Sequence, residues 1–296
     1  MMDQLCHNDA HRGSSLTRWF PIHFNFPLPT ALRIRSGNSL KGVNQPKQFQ
    51  RQTDGAFKMT LNMLAKPVMQ QQSLFSLNMR NITELFPGFA PGDFAVIYGS
   101  PSVLSLTSLL CIRAQLPVQL GGLSSSVIFI DGGNTFRLYH VSRLAQIHHM
   151  DPQQVLKRIY LSRAFTAYQM TALIMEHLKD AVEKYNAKIV VISDVAALFL
   201  DKDISEEETK SVYNQVMAYL QNFAREKQII LIATCPTHQN SSRSSYLQAL
   251  TCTRANVVLS LKQTTYDREI SLEKHSRFML GSAEFPSDNL TLTDFL

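Results

Sequence analysis

The sequence predicts an α/β protein with a mainly parallel central sheet that helices cover on both faces. Four short runs are apolar throughout and rich in β-branched residues: residues 94–98, 127–130, 189–192 and 229–232. Segments with apolar residues at helical spacing separate these runs along the chain. Strands that are apolar on both faces and alternate with helices are typical of a parallel sheet buried between two helical layers.

Residues 127–137, with the sequence VIFIDGGNTFR, form the centre of this prediction. Four apolar residues lead into Asp131 and two glycines, so a buried strand ends abruptly there. The strand therefore delivers Asp131 to the carboxyl edge of the sheet, where open α/β sheets bind their ligands. We expect its carboxylate to accept hydrogen bonds from neighbouring loop amides, with metal coordination as the alternative.

The other elements follow from apolar spacing and from residues typical of helix ends. Asp151 and Pro152 suit the N-cap and the first helical position of a short helix. Acids at residues 201–208 precede a long amphipathic segment, which the helix dipole favours. In chain order, we predict helices at residues 103–115, 139–149, 151–159 and 169–185, a short strand at 159–161, a helix from the acidic residues to about residue 227, a polar Ser-rich loop at 238–246, and an antiparallel hairpin of strands 256–261 and 268–274.

Charge divides the chain into a basic extension and a nearly neutral core. Residues 1–60 carry eight Lys/Arg and three Asp, so 8 − 3 = +5 of the net charge of +6 lies there. Because they show no sustained apolar period, we predict a poorly ordered extension at 1–60, a linker at 61–81, a core domain at 82–286 and an acidic tail at 287–296. The basic extension, including Arg33 and Arg35, suggests contact with nucleic acid; a solvated tail without a partner is the alternative.

Composition narrows the class of protein. The chain has 296 residues and is 45% hydrophobic, which is enough for a substantial core. Its four cysteines form no CxxC pair, so a disulfide framework or a zinc site is not expected and a reducing compartment is favoured. No apolar run approaches the roughly 20 residues of a membrane helix. We therefore predict a soluble, cytoplasmic protein without membrane contact and without a metal centre.

Two motifs within this order of elements carry a family resemblance. Residues 130–137, IDGGNTFR, are similar to an IDxEGTFR motif, and residues 163–169, RAFTAYQ, are similar to part of an ARAFNxxxQ motif. Together they resemble the RecA/RadA-like recombinases of archaea and eukaryotes over about residues 82–285. The resemblance implies a RecA-like P-loop NTPase core, ATP and Mg²⁺ as cofactors, and assembly on DNA with a related recombinase or with further copies of the chain.

The phosphate loop departs from the family pattern. A P-loop needs glycines whose amides cradle phosphate, a Lys on the phosphates and a Ser or Thr on Mg²⁺. In residues 99–107, GSPSVLSLT, a leucine replaces the second glycine, Ser105 replaces the lysine, and Thr107 lies one place late. Losing one charge-assisted hydrogen bond costs roughly 1.5–3 kcal/mol of binding. We therefore predict vestigial or weak nucleotide binding by the following residues: Gly99, Ser100, Ser102, Ser105, Thr107, Asp131 and Asp194.

Further positions that the resemblance implies are also altered. The glutamate that activates water in the family falls at Gly133, the Mg²⁺-supporting aspartate at Ser193 with Asp194 one residue on, and the sensor glutamine at Pro236. Since several parts of one hydrolytic site are missing together, we predict no catalytic residues.

The resemblance also bears on DNA contact. A DNA-contacting loop of the family falls on the Ser-rich segment, so His238, Arg243 and Arg254 are candidates for touching a phosphate backbone; an ordinary surface loop is the alternative. The other DNA loop falls on the acidic residues 201–208, which repel phosphate.

Three functions follow from the sequence. The first is a non-catalytic or weakly active relative of the recombinases that supports DNA recombination and repair by binding DNA, a recombinase or both. The second is an ATP-binding, DNA-dependent ATPase with an unconventional phosphate loop. The third is a regulatory scaffold with a RecA-like fold that does not act on DNA, because a fold does not determine a function.

Overall fold

The structure is a computed structural model, and it describes residues 19–21, 74–238, 241–264 and 267–285. These residues belong to one compact unit. Residues 24–72, and with them Arg33 and Arg35, lie outside the described part of the chain.

Within the described ranges, nine strands form one sheet in the order β1-β4-β3-β5-β6-β2-β7-β8-β9. The six inner strands, from β4 to β7, are parallel, and the strands at both edges pair antiparallel. The predicted fold class, with its C-terminal antiparallel hairpin, is therefore confirmed, and β9 adds a third strand to that hairpin. The strands are β1 Phe20–Pro21, β2 Phe94–Gly99, β3 Val127–Asp131, β4 Ile159–Arg163, β5 Ile189–Ser193, β6 Ile230–Pro236, β7 Val257–Gln263, β8 Arg268–Lys274 and β9 Gly281–Glu284.

Side-chain caps begin several of the helices. Asp151 accepts a hydrogen bond from the amide of Gln153, with Pro152 in the first turn, as the sequence predicted. None of the described helices is long and apolar enough to cross a membrane. The helices are α1 Arg80–Leu85, α2 Val103–Arg113, α3 Leu138–Ile147, α4 Pro152–Lys157, α5 Ala167–Ala172, α6 Leu178–Lys184, α7 Glu206–Lys227 and α8 Ser242–Arg254, with 3-10 turns at Val118–Leu120 and Ala197–Leu200 and a π-helical turn at Leu173–His177.

Two of the predicted elements were wrong in part. The helix expected at residues 169–185 is interrupted by the π-helical turn between α5 and α6. The Ser-rich loop expected at residues 238–246 becomes helical at Ser242, because Ser241 caps the amide of Ser244 and Leu247 is buried in the core. The cap and the buried side chains of Leu247 and Thr251 hold this polar helix against the core.

Two apolar layers hold the sheet between its helices. Along β3, Val127 and Phe129 pack in one layer with α2, α3 and α4, while Ile128 and Ile130 pack in the other with α5 to α8. Strand side chains alternate between the faces, so an apolar run is buried on both. Each fully buried aliphatic or Phe side chain contributes about 1.5–3 kcal/mol relative to an exposed one.

The core begins before the predicted boundary at residue 82. Phe75, Leu77 and Met79 are buried in the layer beside α2. The amides of Phe75 and Phe89 each donate to the carbonyl of the other residue, at 2.8 and 2.9 Å. Residues 74–81 are thus part of the folded core rather than of a linker. The predicted extension at 1–60 also contributes β1, which pairs with β4 at the sheet edge.

Candidate functional site

The carboxyl edge of the sheet brings together the candidate residues of four strands. The order β3-β5-β6-β2 places the loops after these strands side by side. Hydrogen bonds connect them: Gly132 donates to the carbonyl of Ser193 at 2.9 Å, and Thr237 donates to the carbonyl of Gly99 at 2.7 Å. The parallel arrangement therefore unites positions that are up to about 140 residues apart in the sequence, with Gly99 and Asp131 at two of the strand ends.

The loop after β2 begins at a glycine that the fold requires. Gly99 has φ of +113°, which favours glycine. A Cβ added there would lie 2.2 Å from the carbonyl oxygen of Leu261 on β7. The next amide, that of Ser100, donates to the same carbonyl at 2.8 Å. This loop is thereby held against β7 by its own backbone.

The amides of this loop point to acceptors within the chain. Those of Val103, Leu104 and Ser105 donate to the carbonyls three residues earlier, each at 3.0 Å. The amide of Ser102 donates to the hydroxyl of Ser100 at 3.3 Å, and Pro101 has no amide hydrogen. A phosphate cradle needs successive amides directed at the ligand. In this conformation the loop offers no such set.

The hydroxyls of the loop are also engaged within the chain. Thr107 is buried, and its hydroxyl donates to the carbonyl of Leu104 at 2.6 Å. Ser100 and Ser102 both donate to the side-chain oxygen of Gln263, at 3.0 and 2.9 Å. Sequence reasoning missed Gln263, since it lies more than 160 residues away and carries no motif.

An open depression of about 790 Å³ lies beside the loop, between the ends of β2, β6 and β7. One cation, that of Lys262, is among the side chains that line it. Sequence reasoning also missed this lysine, because it lies on β7, far from the loop in the sequence. Its neighbours around the depression include Tyr98, Ser100, Thr237, Gln263 and Thr264.

Asp131 has hydrogen-bond donors on both carboxylate oxygens. Its Oδ1 accepts from the amide of Thr135 at 2.8 Å, and its Oδ2 accepts from the amide of Phe136 at 3.2 Å. Arg163 on the neighbouring strand reaches Oδ2 with Nη2 at 3.0 Å. The two amide contacts match the expectation that the Asp131 carboxylate accepts hydrogen bonds from neighbouring loop amides. The adjacent guanidinium disfavours a second cation, and no group of three or more ligating side chains that could hold a metal occurs in the part of the chain the structure describes.

Asp194 fills the space next to Gly133. A Cβ on Gly133 would lie 2.7 Å from Oδ2 and 2.9 Å from Cβ of Asp194. Asp194 has φ of +53°, and its amide donates to the hydroxyl of Thr234 at 3.0 Å. The Asp194 carboxylate thus lies in the space that a side chain at residue 133 would enter. A side chain at residue 133 therefore cannot be accommodated without moving Asp194.

A histidine partner holds Asp194 in this place. His238 Nε2 and Asp194 Oδ1 are 2.7 Å apart, and the Asp194 side chain is 6% exposed. Burial raises the pKa of Asp194 above its ordinary value of 3.8, while the hydrogen bond with His238 opposes that rise. Next to this pair, the hydroxyl of Ser193 lies 2.5 Å from that of Thr135. His238 was predicted as a DNA contact, and no sequence signal linked it to Asp194.

The two described arginines predicted to contact DNA have partners within the chain. Arg243 donates to the carbonyls of Asp201 and Ile204, at 2.8 and 2.5 Å, and also bonds the hydroxyl of Thr209. Arg254 donates to Asn214 at 2.8 Å. Both lie on α8, 11 residues or about 16 Å apart along the axis, so the structure does not bring them together. Arg243 instead fixes the shape of the acidic segment.

An exposed aromatic surface accompanies that acidic segment. Phe165 is 70% exposed and Tyr168 is 59% exposed. The Tyr168 hydroxyl donates to Glu208 Oε1 at 2.8 Å, so the aromatic side chains and the acidic start of α7 form one surface. In the sequence, residues 163–169 stand out only as a motif, which gives no sign of this exposure. Negative charge here disfavours a nucleic-acid backbone.

The sheet order and the glycine-bearing loop after β2 define the chain as a RecA-like α/β core. The model of the Rad51 family matches residues 76–251, more than half of the chain. The chain belongs to the Rad51 family, so the predicted family resemblance is confirmed.

Curated relatives agree with this assignment. The chain is similar to a DNA repair and recombination protein RadA of Aeropyrum pernix, with 26% identity over 167 residues that cover 56% of this chain and 49% of that protein. It is also similar to a DNA repair and recombination protein RadA of Cenarchaeum symbiosum, with 27% identity over 161 residues that cover 54% and 38% of the two chains. The matched region thus spans half or less of the length of these relatives.

Proposed function

We propose that this chain is a non-catalytic or weakly active member of the Rad51 family that supports DNA recombination and repair by binding DNA, a partner recombinase or both. The names of the relatives, both DNA repair and recombination proteins, support a role in recombination and repair. One observation carries the proposal on catalysis: the amides of the loop after β2 are bonded within the chain. The sequence agrees, since Ser105 stands where a phosphate-binding lysine is needed. ATP and Mg²⁺ are accordingly expected to bind weakly or not at all.

Several losses at this site act together against phosphate binding and hydrolysis. A phosphate at this loop would first have to break the hydrogen bonds of the Val103, Leu104 and Ser105 amides. Removing one group aimed at developing charge typically costs about a hundredfold or more in rate. Gly133 also has no side chain to activate water, and Asp194 occupies the adjoining space. Each of these losses lowers the rate of ATP turnover, and the fold is retained without the lost groups.

The experiment is ATP binding by calorimetry with and without Mg²⁺, followed by a turnover assay on the same full-length protein. We expect no measurable binding, or weak binding without turnover. A curated RadA relative assayed in parallel is the positive control for the conditions. Tight binding with steady turnover by this chain would refute the non-catalytic proposal.

A second candidate function, an ATPase with an unconventional loop, has one observation in its favour. Lys262 is among the residues that line the depression beside the loop, and it does not come from the loop itself. Under this alternative, Lys262→Ala abolishes ATP binding and turnover, while an exposed control, Lys179→Ala on α6, leaves both unchanged. If wild-type protein turns over ATP and Lys262→Ala does not alter it, the missing charge comes from elsewhere.

A third candidate, a scaffold that does not act on DNA, gains support from the internal bonds of Arg243 and Arg254. The basic extension predicted at residues 1–60 distinguishes it from the first. Replacing Arg33 and Arg35 by Gln lowers the salt slope of duplex DNA binding by about 1.8 if both contact phosphates. The matched control replaces Lys179 and Arg225, two exposed basic residues on helices of the core, by Gln. If wild-type protein shows no salt-sensitive binding to DNA, that result favours the scaffold function.

A further inference from the structure

The side chain of Gln263 connects the end of β7 to the loop after β2. Its Oε1 accepts hydrogen bonds from the hydroxyls of Ser100 and Ser102, at 3.0 and 2.9 Å. The register of the parallel pair sets this contact, because Gly99 lies opposite Leu261, two residues before Gln263. One oxygen at the strand end therefore bridges both serine hydroxyls of the loop.

The bridged hydroxyls help to determine the backbone of the loop. Ser100 accepts the amide of Ser102 with its hydroxyl and the amide of Val103 with its carbonyl, at 3.3 and 3.0 Å. Holding the Ser100 side chain thus holds the first amide of the closed turn, and the amides of Leu104 and Ser105 follow in the same turn. If Gln263 leaves, the hydroxyls of Ser100 and Ser102 lose this acceptor, while the Ser100 amide keeps its bond to the carbonyl of Leu261.

We propose that Gln263 is an internal latch that keeps this loop closed by taking the place of a phosphate oxygen as acceptor for the two serine hydroxyls. A carbonyl oxygen and a phosphate oxygen accept from the same donors, so only one of them binds these hydroxyls at a time. The adjoining depression with Lys262 would receive the phosphate group after the latch opens. This inference deepens the proposed function and rests on its identification of the loop as a vestigial phosphate loop.

The two hydrogen bonds of Gln263 set how far its removal shifts the opening equilibrium of the loop. Gln263 is exposed, so water competes for the serine hydroxyls and each bond contributes at the low end of the usual range. Together the two bonds shift the opening equilibrium of the loop roughly fivefold. A ligand that binds only the open loop gains affinity by the same factor when the latch is removed.

The experiment compares full-length wild-type protein with Gln263→Leu, Gln263→Glu and the control Gln154→Leu, which changes an exposed glutamine on α4. Hydrogen exchange of the amides of residues 102–105 is measured without any ligand, and calorimetry then measures pyrophosphate binding. We expect about fivefold faster exchange and about fivefold tighter pyrophosphate binding for Gln263→Leu only. Gln263→Glu keeps an acceptor oxygen and is expected to exchange like wild-type protein.

Three results would overturn the latch. Unchanged exchange in Gln263→Leu would show that the side chain does not hold the loop. Equal exchange in Gln263→Glu and Gln263→Leu would remove the role of the acceptor oxygen. Faster exchange without any gain in pyrophosphate binding would remove the competition with phosphate. ATP turnover by wild-type protein would refute the proposed function without altering the ligand-free exchange result, so the two failures are distinguishable.

Discussion

The contact between Gly133 and Asp194 leads to a prediction that two substitutions are energetically coupled. In Gly133→Ala the new Cβ meets Asp194 Oδ2 at 2.7 Å, Asp194 Cβ at 2.9 Å and Thr135 Cγ2 at 3.0 Å. Overpacking of this kind costs about 1–3 kcal/mol, and the lower entropy of the unfolded alanine chain returns about 0.4–1 kcal/mol. We expect Gly133→Ala to lower the free energy of unfolding by about 1–2 kcal/mol.

Asp194→Gly removes two of these three contacts and suits the φ of +53° at residue 194. In that background, Gly133→Ala should cost less than about 0.5 kcal/mol, which makes the coupling energy about 1 kcal/mol or more. Denaturant unfolding of the four proteins of this double-mutant cycle measures it. Equal costs of Gly133→Ala in both backgrounds would refute the argument that Asp194 fills this space.

A neighbouring glycine supplies the matched control for this cycle. A Cβ on Gly132 would meet the backbone carbonyl oxygens of Asp194 and Ser193, at 2.8 and 3.1 Å, and the terminal methyl of Met170. Any residue at position 194 keeps its carbonyl. Asp194→Gly should therefore not rescue Gly132→Ala, and rescue of both glycine substitutions would point to general loosening of the edge. For function, the contact implies that Gly133→Glu alone does not restore a water-activating base.

Three further predictions address the remaining candidates. Ser105→Lys alone should leave ATP binding by calorimetry unchanged, because the loop amides stay bonded within the chain; tight binding by this variant would show that only the charge was missing. Arg243→Ala should lower the free energy of unfolding by about 1–2 kcal/mol, since it removes the hydrogen bonds to the partly buried carbonyl of Ile204 and to the hydroxyl of the buried Thr209. Arg254→Ala should cost under about 1 kcal/mol in the same denaturant assay, and similar costs would contradict the structural role of Arg243. Burial raises the pKa of Asp194 above 3.8, so the folded state binds a proton more readily than the unfolded chain. The free energy of unfolding of wild-type protein, relative to that of Asp194→Asn, should therefore fall as the pH rises above 3.8. Denaturant unfolding of both proteins from about pH 3 to 6 measures this difference, and a constant difference would contradict the raised pKa.

The parallel core could be predicted because its signals are local. Along β3, apolar residues occupy every position, and this pattern requires burial on both faces wherever the strand lies in the sheet. Asp151 and Pro152 likewise determine a helix start through contacts within one turn. The family resemblance also rests on short runs, residues 130–137 and 163–169, that can be compared without a structure.

The departures from prediction arose where distant contacts outweigh local composition. The Ser-rich segment reads as a loop by propensity, yet Leu247 is buried and Thr251 bonds the buried hydroxyl of Tyr213 at 2.7 Å, so α8 forms against α7. Residues 74–81 lack a clear period, but Phe75 is buried and pairs with Phe89. Tertiary burial, rather than helix or loop propensity, determined these boundaries.

By itself, the sequence determined the strand order along the chain, the apolar layers and the absence of a lysine from the loop after Gly99. Only the tertiary structure decided how the altered residues are used: Gln263 on the loop serines, His238 on Asp194, and Arg243 on the acidic segment. The partners in these contacts lie 38 or more residues apart in the sequence. Hydrogen-bond partners at such separations depend on the register of the sheet and on the order of the strands within the sheet. No local pattern of residues encodes either of these.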